Sequence, residues 1–271
     1  MGSVLAVLDH RPSVSHVLSR AQAVADLIGA PLETVYVHEP NDGEASVVAL
    51  ERPSATPSSR HALSRMLASS DVSMVVVAGV PVDGLPATRA ARYALQHTAV
   101  PFVVLPPMSR PYDARPLRRL LVPLDGDQRS SAPVRALLTE CQARGVRIVG
   151  MHVFTPATAP TMIDRPYYDV PAWCEQFLDT LLPGIHQSFH WATGTPGNRI
   201  AAACTTGVAD LAVLAWSRQL GPGHADVVRT VLARAEIPVA LIPVIGAPDI
   251  DVDVIDLSAA ERHRKDEQLP A

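Results

Sequence analysis

The sequence contains two copies of one pattern, and this repeat limits the folds that the chain can adopt. Residues 4–40 align without a gap with residues 120–156, and residues 73–106 align in the same way with residues 210–243. Between its two blocks the second copy is longer than the first. Two structural units of the same kind are therefore expected, and the first unit should lack one element that the second unit keeps.

Within each copy, short apolar runs alternate with stretches of helical periodicity. Residues 13–28 place apolar side chains on one helical face and end at Gly29, which is suited to a helix C-terminus. The other predicted elements are strands at residues 4–9, 32–38, 74–78 and 102–105, a helix at 87–97, an additional helix of the second copy at 171–182 and a strand near 187–191. Alternating elements with apolar strands are typical of parallel, doubly wound sheets.

The repeat and the composition together divide the chain into four parts. We predict a shortened first domain at residues 1–108, a proline-rich linker at 109–117, a second domain at 118–246 and an acidic tail at 247–271. In the tail, acidic residues outnumber basic ones by seven to three, so the tail accounts for the whole net charge of −4. Aspartate and apolar residues alternate near the start of the tail, so an additional edge strand there is an open alternative.

Several classes of protein are excluded by composition. The body has no basic excess to bind a nucleic acid, and its apolar runs are too short to cross a membrane. Three separated cysteines indicate neither a disulfide framework nor a zinc site, and Lys265 is the only lysine, so lysine-dependent ATPases and kinases are disfavoured. No leader pattern precedes the first predicted strand, and a cytoplasmic protein is expected.

Two patterns resemble metal sites without meeting their requirements. His186 and His190 lie four apart, a spacing that suits one ion on a helix but not on the strand predicted here. The acidic triplet Asp249, Asp251 and Asp253 lacks the glycine and the closing glutamate of a calcium loop. No metal site and no catalytic residue is predicted.

Three recurring segments resemble those of the tandem universal stress proteins. They are strands that end in aspartate (residues 4–9 and 120–125), second-strand ends (36–40 and 151–156) and closing segments (92–101 and 229–238). The resemblance implies an α/β fold with two tandem flavodoxin-like domains, each a parallel five-stranded sheet of order 3-2-1-4-5, the first lacking one helix. It also implies a ligand crevice outside the carboxyl ends of the strands, at the switch point of each sheet.

Many members of this family bind ATP through a glycine-rich loop after the fourth strand, where backbone N–H groups close on the phosphates. Both copies depart from that loop. In the first copy Gly79 is kept, but Pro86 and a second proline remove N–H donors, and Asp83 adds a charge that repels phosphate. The first-domain counterparts of the site, which are Asp9, Val37 and Gly79, are therefore predicted to be degenerate.

The second copy is the better candidate for a ligand site. The resemblance implies that Asp125 and Val153 lie at the adenine–ribose end, while the loop after the fourth strand offers glycines at a helix start, a positive charge and an imidazole. The predicted ligand-binding residues are Asp125, Val153, Ser217, Arg218, Gly221, Gly223 and His224. Two alternatives stay open: Trp216 fills the crevice beside a simple turn, or Asp125 only caps the end of its strand.

Two functional hypotheses follow from these observations. The first is a non-catalytic stress-response protein that acts through contacts with an unknown protein partner or by sensing a small ligand, with its two domains packed as a pseudo-dimer and further homodimerisation open. The second is a protein that binds ATP or another adenine nucleotide in its second domain, with slow ATP hydrolysis as an extension. A catalytic nucleotidyl-type enzyme is a third interpretation, and no lysine or histidine motif supports it.

Overall fold

The computed structural model describes residues 2–9, 14–38, 46–49, 62–68, 71–81, 83–107, 116–156, 169–185, 187–220 and 225–244. In the first half the elements are β1 (Ser3–Leu8), α1 (Val14–Ile28), β2 (Leu32–His38), β3 (Ser46–Ala49), α2 (Ala62–Ala68), β4 (Val72–Ala78), α3 (Arg89–His97) and β5 (Phe102–Leu105). In the second half they are β6 (Arg119–Leu124), α4 (Gln128–Ala143), β7 (Arg147–Phe154), α5 (Asp169–Leu181), β8 (Gln187–Thr193), α6 (Pro196–Ala203), β9 (Leu211–Trp216), α7 (Asp226–Arg234) and β10 (Val239–Pro243).

The described strands form one continuous sheet of ten strands, in the order β3-β2-β1-β4-β5-β10-β9-β6-β7-β8. Most neighbouring pairs are parallel, which agrees with the predicted α/β class. Two separate five-stranded sheets were expected, and this expectation is corrected by the antiparallel pairing of β5 with β10, where Phe102 lies opposite Leu241. The pairing satisfies backbone groups that two isolated sheets would each leave at an edge.

The strand β3 also departs from the expected parallel arrangement, because it runs antiparallel to β2. Only residues 39–45 connect these two strands, whereas α5 lies between β7 and β8, which pair in parallel. A parallel neighbour requires a crossover of about a dozen residues or more, so a connection of this length permits only an antiparallel partner. The shortened first half therefore has a different edge from the second half.

Helices cover both faces of the sheet and divide the core into two clusters. On one face α1, α4 and the end of α5 bury side chains such as Val24, Leu138 and Leu181 against the strands. On the other face α2, α3, α6 and α7 bury side chains such as Leu95 and Leu232. Strands covered on both sides are expected to be apolar throughout, as β5 and β10 are. No helix in the described part of the chain is long and apolar enough to cross a membrane.

Candidate functional site

A cavity of about 600 Å³ opens at the carboxyl ends of β6, β7 and β9. The strand β6 lies between β7 and β9, and the helices that follow β6 and β9, which are α4 and α7, lie on opposite faces of the sheet. The walls of the cavity include the apolar side chains Val122, Val153 and Leu214 and the first turns of α4 and α7. This position is the switch point of a doubly wound sheet, where ligands of such folds bind.

Asp125 follows β6 directly and lines the cavity. Its Oδ1 accepts hydrogen bonds from the backbone N–H of Asp127 at 2.9 Å and from the hydroxyl of Ser130 at 2.6 Å. Asp127 in turn caps α4 by accepting from the N–H of Arg129 at 2.8 Å. The Asp125 carboxylate therefore holds the turn between strand and helix, while its Oδ2 has no hydrogen-bond partner within the described part of the chain.

His152 is a polar side chain of this cavity that the sequence interpretation did not single out. It lies on β7, is only 7% exposed, and its ring packs against Phe154 and Phe177 with centroid distances of 4.7 and 4.9 Å. Its Nδ1 lies 2.7 Å from the carbonyl oxygen of Leu124, which can only accept, so Nδ1 carries a proton. In the neutral ring Nε2 is then an acceptor, and no described residue hydrogen-bonds to it.

The charged side chains that line the cavity are both acidic. Asp125 lies at the end of β6, and Asp226 lies in the first turn of α7. No arginine or lysine is among the described residues of the lining. The other polar side chains there, besides His152, carry hydroxyl groups. The described part of the lining therefore offers many hydrogen-bond acceptors and no arginine or lysine.

Trp216 forms part of the cavity wall without filling the cavity. It ends β9, is 2% exposed, and packs into the core between the sheet and α6 and α7. The volume of about 600 Å³ remains with this side chain in place. Its Nε1–H is buried and has no hydrogen-bond acceptor among the residues that the structure describes.

Comparisons with known proteins agree with this geometry. A model of the universal stress protein family matches residues 116–243, which contain all of the lining residues named above. Residues 116–243 therefore form a universal stress protein domain. A search of curated protein sequences finds no match.

The fold likeness extends beyond this universal stress protein domain into the first half of the chain. A protein of unknown function from Pseudomonas aeruginosa PAO1 is similar in structure, with a TM-score of 0.59 and 13% identity over 90% of this chain and 92% of that one. A protein provisionally assigned as a universal stress protein from Pseudomonas aeruginosa UCBPP-PA14 has a TM-score of 0.58 and 14% identity, over 90% of this chain and 93% of that one. At these identities the likeness establishes the shared fold.

The structure brings together some of the site residues expected in the universal stress protein domain. Asp125, Val153 and Ser217 all line the cavity. Arg218 follows Ser217 with a positive φ of 66°, does not belong to the lining, and already has an interaction partner in the structure. The remaining expected residues, Gly221, Gly223 and His224, lie outside the described residues.

In the first half, the loop after β4 uses its backbone donors internally. The N–H of Gly79 donates to the carbonyl of Leu105 at 2.8 Å, and the N–H of Val80 donates to Leu85 at 2.9 Å. The N–H of Leu85 donates to the Asp83 carboxylate at 3.0 Å. These groups already have acceptors, so a phosphate would have to displace a bond at each of them.

The other expected residues of the first half occupy the corresponding strand ends. Asp9 follows β1 and is partly exposed, whereas Val37 on β2 is 2% exposed and belongs to the core. Asp83 pairs with Arg92 across the loop at 3.3 Å. The degeneracy of this first site stays a prediction, and the closed loop is the physical argument for it.

No group of three or more possible metal ligands occurs among the residues that the structure describes. His190 lies exposed on β8. His186 and the aspartates of residues 249–253 fall outside the described residues, so their arrangement stays as the sequence predicts it.

Proposed function

We propose that this chain is a non-catalytic, ligand-responsive stress protein that binds an adenine-containing compound at the carboxyl ends of β6, β7 and β9. The observation that carries the proposal is the open cavity at the switch point of the universal stress protein domain. A volume of about 600 Å³ lies within the range of small-molecule sites. The resemblance to the universal stress proteins supplies the adenine class of ligand.

The walls of the cavity suit the two parts of such a ligand. Val122, Val153 and Leu214 offer apolar surface to a flat base. The free Oδ2 of Asp125 offers an acceptor to a sugar hydroxyl, and the hydrogen bonds to Oδ1 hold the carboxylate in place for it. The turn-capping role of Asp125 and its proposed binding role are therefore compatible.

The chemistry of the nucleophilic side chains supports a non-catalytic role. Burial raises the pKa of the Cys141 and Cys204 thiols to about 12, so neither forms a thiolate near neutral pH. The only lysine, Lys265, lies outside the described residues. A bound ligand would then act by changing contacts with an unidentified protein partner or between copies of the chain.

The proposal is tested by isothermal titration calorimetry and thermal shift with adenosine, AMP, cyclic AMP, ADP and ATP at up to millimolar concentration. We expect at least one compound to bind and to raise the unfolding temperature. Asp125→Ala should weaken that binding by about tenfold or more, because it removes a charged acceptor.

Asp127→Ala is the matched control for this experiment. It removes a carboxylate from the same turn, but Asp127 does not line the cavity, so we expect lower stability with unchanged affinity. The proposal fails if none of the five compounds binds, or if the two variants weaken binding equally.

A further inference from the structure

We infer that the cavity selects an adenine nucleoside without phosphate over the corresponding nucleotides. This inference rests on the proposed function, because it concerns the same cavity and names the class of ligand. It follows from three properties of the lining. These are the negative sign of its charges, the acidic side chains at two of its helix N-termini and its excess of hydrogen-bond acceptors.

The charges of the lining oppose a phosphate. Asp125 and Asp226 contribute two carboxylates from different elements, and no described residue of the lining is cationic. A phosphate monoester would bring further negative charge into a partly enclosed space, where repulsion is less screened than in bulk water. Like charges brought together in this way discriminate against the charged ligand without affecting a neutral one.

Two of the helix N-termini beside the cavity also carry an acidic side chain, which opposes phosphate. Such termini attract anions through free N–H groups and the helix dipole. At α4 the Asp127 carboxylate already accepts from the first turn, and at α7 the first turn already holds Asp226. At α6 the first residue is Pro196, which has no N–H to donate.

The hydrogen-bond acceptors of the lining favour a ligand that donates hydrogen bonds. Asp125 Oδ2 and, in the neutral form of the His152 ring, Nε2 are acceptors without partners among the described residues, and His152 is more than nine-tenths buried. A nucleoside presents sugar hydroxyls and an exocyclic amino group, all of which can donate. A nucleotide has the same donors, so these two atoms bind the nucleoside part of either ligand, whereas an ionised phosphate presents only acceptors and gains nothing from them.

The experiment is calorimetric titration of the full chain with adenosine, AMP and ATP at low and high salt. We expect adenosine to bind at least ~10-fold more tightly than AMP, and AMP more tightly than ATP. Raising the ionic strength should strengthen AMP binding and leave adenosine binding nearly unchanged, because salt screens only the charged ligand.

Asp226→Asn should strengthen AMP binding several-fold, and it should therefore reduce the difference in affinity between adenosine and AMP. Asp179→Asn is the matched control, because it makes the same charge change on an exposed position of α5 outside the lining, and it should leave the difference intact.

The outcomes separate this inference from the proposed function. Binding of AMP or ATP as tight as that of adenosine overturns the inference and leaves the proposed function standing. Equal effects of Asp226→Asn and Asp179→Asn also overturn it. Failure of every adenine compound to bind overturns both.

Discussion

Cys141 shows how strongly burial controls the chemistry of a single side chain. It lies on α4 with no exposed surface, and its thiol pKa is raised from 9.0 to about 12, chiefly by desolvation and further by the nearby Glu140. The unfolded chain would ionise this thiol near pH 9, while the folded chain keeps it neutral up to about pH 12. The folded state is therefore favoured fully below pH 9, and this advantage is lost as the pH rises from 9 towards 12.

We expect Cys141→Val to reduce the alkaline loss of stability. Between pH 8 and pH 10 the free energy of unfolding of the variant should fall by about 1.4 kcal/mol less than that of the parent protein, since one ionising thiol has been removed. Chemical unfolding at several pH values measures this slope. Identical slopes for the two proteins would contradict the assigned burial effect, whatever their absolute stabilities.

Two helices begin at a threonine N-cap, and only one of these threonines makes a side-chain hydrogen bond to its helix. Thr88 caps α3 and is buried, and its Oγ1 accepts from the N–H of Ala91 at 3.2 Å. Thr195 caps α6 without a side-chain hydrogen bond. The helix α3 also contacts the loop after β4, because the side chain of Arg92 on α3 donates to the carbonyl of Pro86 in that loop at 2.7 Å.

Thr88→Ala should lower the free energy of unfolding by about 1 kcal/mol, because it leaves a buried N–H without its acceptor. Thr195→Ala is the matched control and should cost no more than about 0.5 kcal/mol. Equilibrium denaturation with urea measures both values. A larger loss for Thr195→Ala than for Thr88→Ala would show that the capping bond does not stabilise α3.

The two halves of the molecule meet along β5 and β10 and through the loop after β4. Gly84 of that loop has a positive φ of 68°, and a Cβ added there would collide with the backbone of Leu232 on α7. On the opposite face the seam is less tightly filled, with a cavity of about 360 Å³ lined in part by Ile28, Leu137 and Ile242. At this loop the two halves therefore approach each other backbone to backbone, at a separation that only glycine permits.

Gly84→Ala should destabilise the protein by about 3 kcal/mol, because left-handed strain adds to the collision with α7. Gly145→Ala is the control: its φ is 78° but a Cβ there would meet nothing within 4 Å, so about 1 kcal/mol of backbone strain is expected. Thermal unfolding measures the difference. Equal losses would mean that the approach of Gly84 to Leu232 is not needed for stability.

Local pattern was sufficient to predict most elements of the fold. The predicted strand at residues 32–38 matches β2 as observed, and the predicted helix at residues 13–28 differs from α1 by one residue. Apolar periodicity carries this information because each side chain faces the core or the solvent according to its position along the element. The repeat likewise indicated where the first half is shorter than the second.

The orientation of strand β3, the joining of the two halves into one sheet and the composition of the cavity depend on contacts between distant residues. The orientation of β3 follows from the length of one connection, and the pairing of β5 with β10 joins strands from opposite halves. His152 and Asp226 can be recognised as residues of the candidate site only because folding places both in the cavity that Asp125 also lines. The periodicity of the sequence indicates whether a side chain faces the core or the solvent, but it does not indicate which distant residue packs against that side chain. The elements could therefore be inferred from sequence, while the sheet pairing and the charge of the site are properties of the folded chain.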